Sequence, residues 1–148
     1  MTVEGNTGTT VKQAVPFFGV SDIDASVRYY VEGLGFETTK KWIHKGQLRW
    51  CWLQIGDAAI MLQEFWKEGE HTNTPEGKLG QGVSICFVCE DALALYREFT
   101  SRGIQASTPF VGNGMWVTSL SDPDGYRIEF ESYTDVPEDT QYSEHEHY

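Results

Sequence analysis

Few residues of this chain combine reactive chemistry with suggestive spacing. Glu129 stands in Ser-Asp-Pro-Asp-Gly-Tyr-Arg-Ile-Glu-Phe, residues 121–130. Asp122 to Gly125 have turn composition, and Tyr126 to Phe130 alternate as a strand does. If Ile128 and Phe130 face a core, Glu129 faces the other way. There its carboxylate can hold a metal, hold a ligand group, or stand in water. Cys86 and Cys89 have the C-x-x-C spacing of redox and zinc sites. Both lie in the apolar run Val-Ser-Ile-Cys-Phe-Val-Cys, with no second pair, and are expected to be buried thiols. With Cys51 the count is three, which is odd and argues against a disulfide framework. His44 falls in an edge-like strand and His71 in a polar linker, so both read as surface histidines. His145 and His147 can bind stray metal but have no scaffold. Ser84 has no histidine near it in sequence. The chain has neither a G-x-S-x-G elbow nor a glycine-rich phosphate loop.

The bulk composition narrows the classes. The 148 residues are 40% hydrophobic and 14% aromatic, enough for a real core, with a net charge of −11. That charge excludes nucleic-acid and anionic-membrane binding by a basic patch, and suits a neutral or cationic small partner. Asp135, Glu138, Asp139, Glu144 and Glu146 meet no Lys or Arg after residue 133, so a solvated acidic tail is expected. No segment reaches the roughly 18 apolar residues of a membrane span. The N-terminal segment lacks the basic start and apolar stretch of a secretory signal, and the expected location is cytoplasmic.

Two similar runs of elements must position these residues. After a loose lead over 1–12, residues 13–20 read as a strand. Ser21 and Asp22 offer caps for an amphipathic helix that ends at Gly33 and Gly35. Three strands follow, with turns at Gly46 and at Gly56-Asp57, to residue 66. Residues 67–82 are polar and rich in Gly, as a linker is. The order then repeats over 83–133: a strand at Val83–Cys89, a helix closed by Gly103, a strand-like piece at 104–111, and a strand pair across the Asp122–Gly125 turn. Residues 134–148 form the acidic tail. Each half therefore reads β-α-β-β-β, an α+β architecture with one helix per sheet. One face of each sheet is left to meet a partner sheet, in the same chain or in a second one.

Three stretches carry a resemblance to a known family. They are Val20–Phe36, Glu90–Ile104 and, most specifically, Ser121–Ser132. The chain resembles the vicinal oxygen chelate superfamily of glyoxalases, bleomycin-resistance proteins and extradiol dioxygenases. The resemblance implies paired βαβββ modules whose curled mixed sheets surround a cavity, often within a homodimer. In metal-dependent members, first-strand and fourth-strand side chains of both modules chelate a divalent ion. Carried over by position, those ligands fall on Val15, within Met61 to Gln63, on Ser84 and on Glu129. Val15 has no lone pair and Ser84 is a poor ligand, so no metal is expected. Glu64 is one residue out of register and points to the opposite face. The resemblance is nearest the metal-free bleomycin-resistance branch, whose members hold a drug without changing it.

Strand parity proposes what lines the cavity. Phe17, Trp50, Trp52, Met61 and Gln63 share one face, with Val15, Gly19, Gln54 and Ala59. Phe18, Val20, Leu53, Ile55, Ile60 and Leu62 take the helix side. The tryptophans offer flat surfaces for an aromatic or cationic ligand, or simply pack a sheet or dimer interface. Phe65 and Trp66 are placed at the rim, Trp116 on the core side, and Arg49 and Arg127 in solvent or an interface. The expected function is binding and sequestration of an aromatic or cationic small molecule, such as an antibiotic, by a homodimer. Phe17, Trp50, Trp52, Met61, Gln63, Ser84 and Glu129 are the expected ligand contacts. A metal-dependent enzyme using Glu129 (a lyase, isomerase, thiol transferase or dioxygenase) is one alternative, and a bare interaction module the other.

Overall fold

Among the residues described by the computed structural model, 8–67, 74–146 and 148, the alternating runs fold into eight strands and two helices. Strand β1 is Phe17–Val20. Helix α1, Ile23–Val27, widens into a π-helical segment over Arg28–Gly33. Strands β2 (Glu37–His44), β3 (Gln47–Ile55) and β4 (Ala58–Glu64) complete the first unit. The second unit has β5 (Ser84–Val88), α2 (Ala92–Ser101), β6 (Phe110–Gly112), β7 (Met115–Ser121) and β8 (Arg127–Tyr133). The strand orders are β1-β4-β3-β2 and β5-β8-β7-β6. In each sheet the first strand pairs parallel to the fourth, and the rest is antiparallel.

Local chemistry explains the repeat. Asp22 and Asp91 are extended N-caps whose carboxylates accept from the backbone N–H of Ala25 and Ala94, at 3.2 and 3.0 Å. The hairpins β2–β3 and β6–β7 both turn on paired positive-φ residues, Lys45-Gly46 and Asn113-Gly114. Two successive positive φ angles give the turn twist that matches strand twist.

The helix-facing sides of both sheets join in one core. Val20, Ile23, Tyr30, Leu53, Ile60 and Leu62 of the first unit are continuous with Phe87, Phe99, Ile128 and Phe130 of the second. Phe36 meets Phe87 edge-on at 5.6 Å. Phe18 stacks on Tyr126 at 4.4 Å. Because side chains alternate along a strand, the other face of each sheet turns away from this core. The chain does not close its two sheets around a common space.

Several expectations need correction. Strand β1 starts at Phe17 rather than 13, because Pro16 has no N–H; its carbonyl still accepts from Met61 N at 2.8 Å. The piece expected at 104–111 pairs only over Phe110–Gly112. Charge pointed to a solvated tail, but residues 134–142 fold back on the second sheet. Val111 N–H donates to Thr140 O, Tyr142 N–H to Pro109 O, and Val136 and Tyr142 pack near Trp116. Apolar residues between the acidic ones anchor the run. Cys86 is exposed rather than buried, since Ile85 and Phe87 take the covered face of β5. Arg49, expected in solvent or an interface, is 7% exposed on the helix side of β3. Its Nη1 lies 2.9 Å from Glu64 Oε1, and its guanidinium stacks 3.8 Å from the Trp66 ring. Residues 1–7, His71 and His147 lie outside the described residues.

Candidate functional site

The pairing register assembles the first open face in rows. Phe17, Met61, Trp52 and Lys40 lie side by side across β1, β4, β3 and β2. Gly19, Gln63, Trp50 and Trp42 form the next row. Five of the expected contacts, Phe17, Trp50, Trp52, Met61 and Gln63, therefore stand together on one surface. Phe17 is 53% and Trp42 45% exposed, large apolar areas left in water. Trp52 is held in place: its indole N–H donates to Gln54 Oε1 at 2.9 Å, and Gln54 in turn donates to Gly56 O at 3.2 Å. Lys40 Nζ sits 4.7 Å from the Trp52 ring centroid. A rotamer fixed this way costs a ligand less ordering entropy on binding.

Trp42 and Lys40 were missed by the sequence reading. Two register shifts in β2, after Thr38 and after Trp42, interrupt the alternation that would have placed them. The available signal was pairing across the Lys45-Gly46 turn, which sets Trp42 opposite Trp50. Phe65 packs beside the Gly19 row on the same open face. It is buried over Gly19, where an added Cβ would fall 2.2 Å from the ring. Trp66 is committed to Arg49 and lies 6.1 Å from His44.

Ser84 and Glu129 stand elsewhere, on the open face of the second sheet. Ser84, Arg127 and Ser121 form one row there, and Cys86, Glu129 and Ser119 the next. Arg127 Nε donates to Ser119 Oγ at 3.3 Å and lies 3.4 Å from Glu129 Oε1. Glu129 is thus neither alone nor adjacent to the tryptophans of its own chain. Its charge is partly balanced by Arg127.

The positions that resemblance assigns to a metal do not form a donor set. Val15 offers no lone pair, Ser84 is exposed on a different sheet from Gln63, and Glu129 is engaged by Arg127. One other group of donors converges: a sulfur of Cys86 and oxygens of Glu129 and Glu131 lie within 4.8 Å of one another. Partial desolvation against the sheet, then the charges of Glu131 and Glu129, push the exposed Cys86 thiol up to about 11. It is therefore protonated at neutral pH, which opposes a nucleophilic role.

The turn Asp122–Gly125 is structural. Asp122 is buried and accepts from Tyr30 Oη at 2.7 Å and from the N–H groups of Asp124 and Tyr126, both at 2.9 Å. Burial raises its carboxyl above the ordinary range, and these hydrogen bonds pull the other way. Burial and the Asp122 charge raise the Tyr30 phenol well above its usual value, and push Tyr29 up to about 12. Asp124 accepts from Ser21 Oγ at 2.7 Å. Tyr126 Oη donates to Gly19 O at 2.7 Å. The motif that looked most specific in sequence braces the two units together.

This architecture belongs to a known family. Residues 12–130 match the model of the Glyoxalase/Bleomycin resistance protein/Dioxygenase superfamily, and the chain is a member of that superfamily. Solved structures share the fold at low identity. TioX from Micromonospora sp. ML1 is 18% identical with a TM-score of 0.67, over 84% of this chain and 100% of TioX. A glyoxylase/bleomycin resistance protein/dioxygenase domain from Frankia sp. EAN1pec is 15% identical with a TM-score of 0.65, over 87% and 96% of the two chains. TnmS3, an antibiotic binding protein from Streptomyces sp. CB03234, is 19% identical with a TM-score of 0.61, over 84% and 99%. Among curated proteins, none matches the chain by sequence. Among the described residues, no helix is long and apolar enough to cross a membrane.

Proposed function

We propose that this protein is a metal-free small-molecule binding protein that sequesters a planar aromatic compound on the open face of its first sheet. One observation carries the reading. Phe17, Trp50, Trp52 and Met61 form a continuous aromatic and polarizable surface, exposed at Phe17 and half-buried at the other three, with Trp52 preset by Gln54. Flat rings recognise flat rings by dispersion and by edge-to-face geometry. Gln63, in the next row, supplies a polar anchor. The lid is a second copy of the chain, whose own open face brings Ser84 and Glu129 opposite the tryptophans. An aromatic ligand fits better than a purely cationic one, because Lys40 already occupies the Trp52 face and Arg127 already engages Glu129. The fold shared with an antibiotic-binding protein is compatible with a drug as ligand. The interior of a cell is the proposed location.

Titrating the protein with a panel of planar aromatic compounds, antibiotics included, and following tryptophan fluorescence tests this reading. Expected are saturable quenching, ligand recovered unchanged by mass spectrometry, and a dimer in light scattering. Quenching that persists in Trp50→Ala/Trp52→Ala, or a turned-over ligand, would refute it. A metal-dependent enzyme is the second reading, favoured by the convergence of Cys86, Glu129 and Glu131. Calorimetric titration with zinc, nickel and manganese decides. Tight one-per-chain binding that disappears in Glu129→Ala and in Cys86→Ser would establish that reading instead.

A further inference from the structure

The second sheet carries a cavity at the edge of the open face that the aromatic reading uses as its lid. It measures about 690 Å³ and lies where residues 78–83 pass the ends of β5, β7 and β8. A volume of this size suits a small metabolite. The formal charge of the lining is opposite in sign to that of the whole molecule, with Glu129 just outside it, 3.4 Å from Arg127. The chain as a whole carries 22 acidic against 11 basic residues. The cavity lining contains Lys78 and Arg127 and, among the described residues, no Asp or Glu.

The polar groups around it are exposed and can donate to a ligand. Ser84, Ser107 and Ser121 line the cavity with Gln81 and Gln105, and none of these side chains hydrogen-bonds to another described residue. Arg127 uses only Nε within the described chain, toward Ser119 Oγ at 3.3 Å and Glu129 Oε1 at 3.4 Å. Its Nη1 and Nη2 have no acceptor among the described residues. These are the paired, planar donors that match a carboxylate or phosphate edge. Ser84 and Ser121 flank Arg127 in the same row, one on each neighbouring strand.

The wall is anchored. Gly80 presses on Tyr126 so closely that an added Cβ would lie 2.8 Å from the ring, and its φ of +72° is a conformation glycine adopts freely. Tyr126 is itself fixed by its stack on Phe18 and its hydrogen bond to Gly19 O. The segment that closes the cavity is therefore held against a rigid part of the core.

We propose that this cavity binds a small compound through an oxyanion, a carboxylate or phosphate, held by the free edge of Arg127 and by Lys78, with serine hydroxyls and glutamine amides as further donors. Glu129 orients the guanidinium through Nε and moderates its charge. The inference goes beyond the aromatic reading, with which it shares Ser84, and is separable from it by experiment, since the cavity lining contains no tryptophan.

Two-dimensional amide NMR of the full-length protein tests it, with inorganic phosphate and succinate as probes at constant ionic strength and sodium chloride as the control. Saturable shifts are expected at residues 78–84, 105–107 and 119–127, with tryptophan fluorescence unchanged. The stronger of the two probes identifies the oxyanion. Arg127→Gln should weaken binding at least tenfold and Lys78→Gln several-fold, while Arg127→Lys retains part of it. The dispersion of each variant's spectrum confirms that it is folded. Three results would overturn the proposal: no saturable shift with either probe, shifts centred on Lys40, Lys41 and Lys45, or equal affinity in a folded Arg127→Gln variant.

Discussion

The two sheets have the same strand order and the same parallel closure, yet their open faces are opposites. The first presents Phe17, Trp42, Trp50, Trp52 and Met61, with Lys40 across one ring. The second presents Ser84, Cys86, Ser119, Ser121, Arg127, Glu129 and Glu131. On the covered side the units converge: both cap their helix with Asp, and both feed one core. The repeat therefore constrains what lies beneath the helices and leaves the outer faces free to diverge. Fold membership alone could not have predicted which face is aromatic and which is polar.

Mutations on the two sides should separate stability from binding. The largest effect is expected at the brace. Asp122→Ala leaves the Tyr30 hydroxyl and two backbone N–H groups without their acceptor and should cost about 3 kcal/mol in denaturant unfolding. A loss below about 1 kcal/mol would mean that the units do not depend on that contact. On the aromatic face, Trp52→Ala should barely change the unfolding midpoint but weaken an aromatic ligand by about 2 kcal/mol in fluorescence titration. An equal loss from Val88→Ala, on the second face, would erase the contrast.

The pH dependence sharpens it further. Tyr30 and Tyr29 are raised in the folded state, so folding retains their protons when the unfolded chain releases them. Their contribution is complete below the unfolded value of about 10 and is lost as pH rises beyond it. Stability should fall steeply above about pH 10, and less steeply in Tyr30→Phe, by circular dichroism in urea. The smallest effect concerns the polar face. Alkylation of Cys86 at about pH 8 should run well below the rate of an unperturbed thiol, because its pKa is about 11. Glu131→Gln should accelerate it by a few-fold. A fast wild-type rate would contradict the electrostatic picture of that surface.

Strand parity carried much of this in the sequence. Phe17, Trp50, Trp52, Met61 and Gln63 could be placed on one face from alternation alone, since period two is insensitive to tertiary context. Other features depended on partners that sequence separation hides. Cys86 sits in an apolar run, but the uncovered side of β5 turns it outward. Arg49 needed Glu64 and Trp66 to be recognised as buried. The acidic charge of residues 134–146 masked the packing of Val136 and Tyr142. Ser84 and Glu129 stand on a different sheet from the tryptophans, and alternation along a strand does not tell whether a partner sheet from the same chain or from a second one brings the two faces together. The cavity at residues 78–83 escaped because a polar, glycine-rich segment reads as a linker whether or not it walls a site.

The parallel pairing of first with fourth strand also sets an order of events during synthesis. Phe17–Val20 find their neighbours only at Met61–Glu64, so the N-terminal strand must wait for three others to emerge. Until then its hydrophobic side chains have no sheet to join. Ser84–Val88 wait in the same way for Arg127–Tyr133. Such long-range closure is slow relative to hairpin formation. A nascent chain stalled just before Met61 would hold an unpaired hairpin and a helix, a natural target for a chaperone.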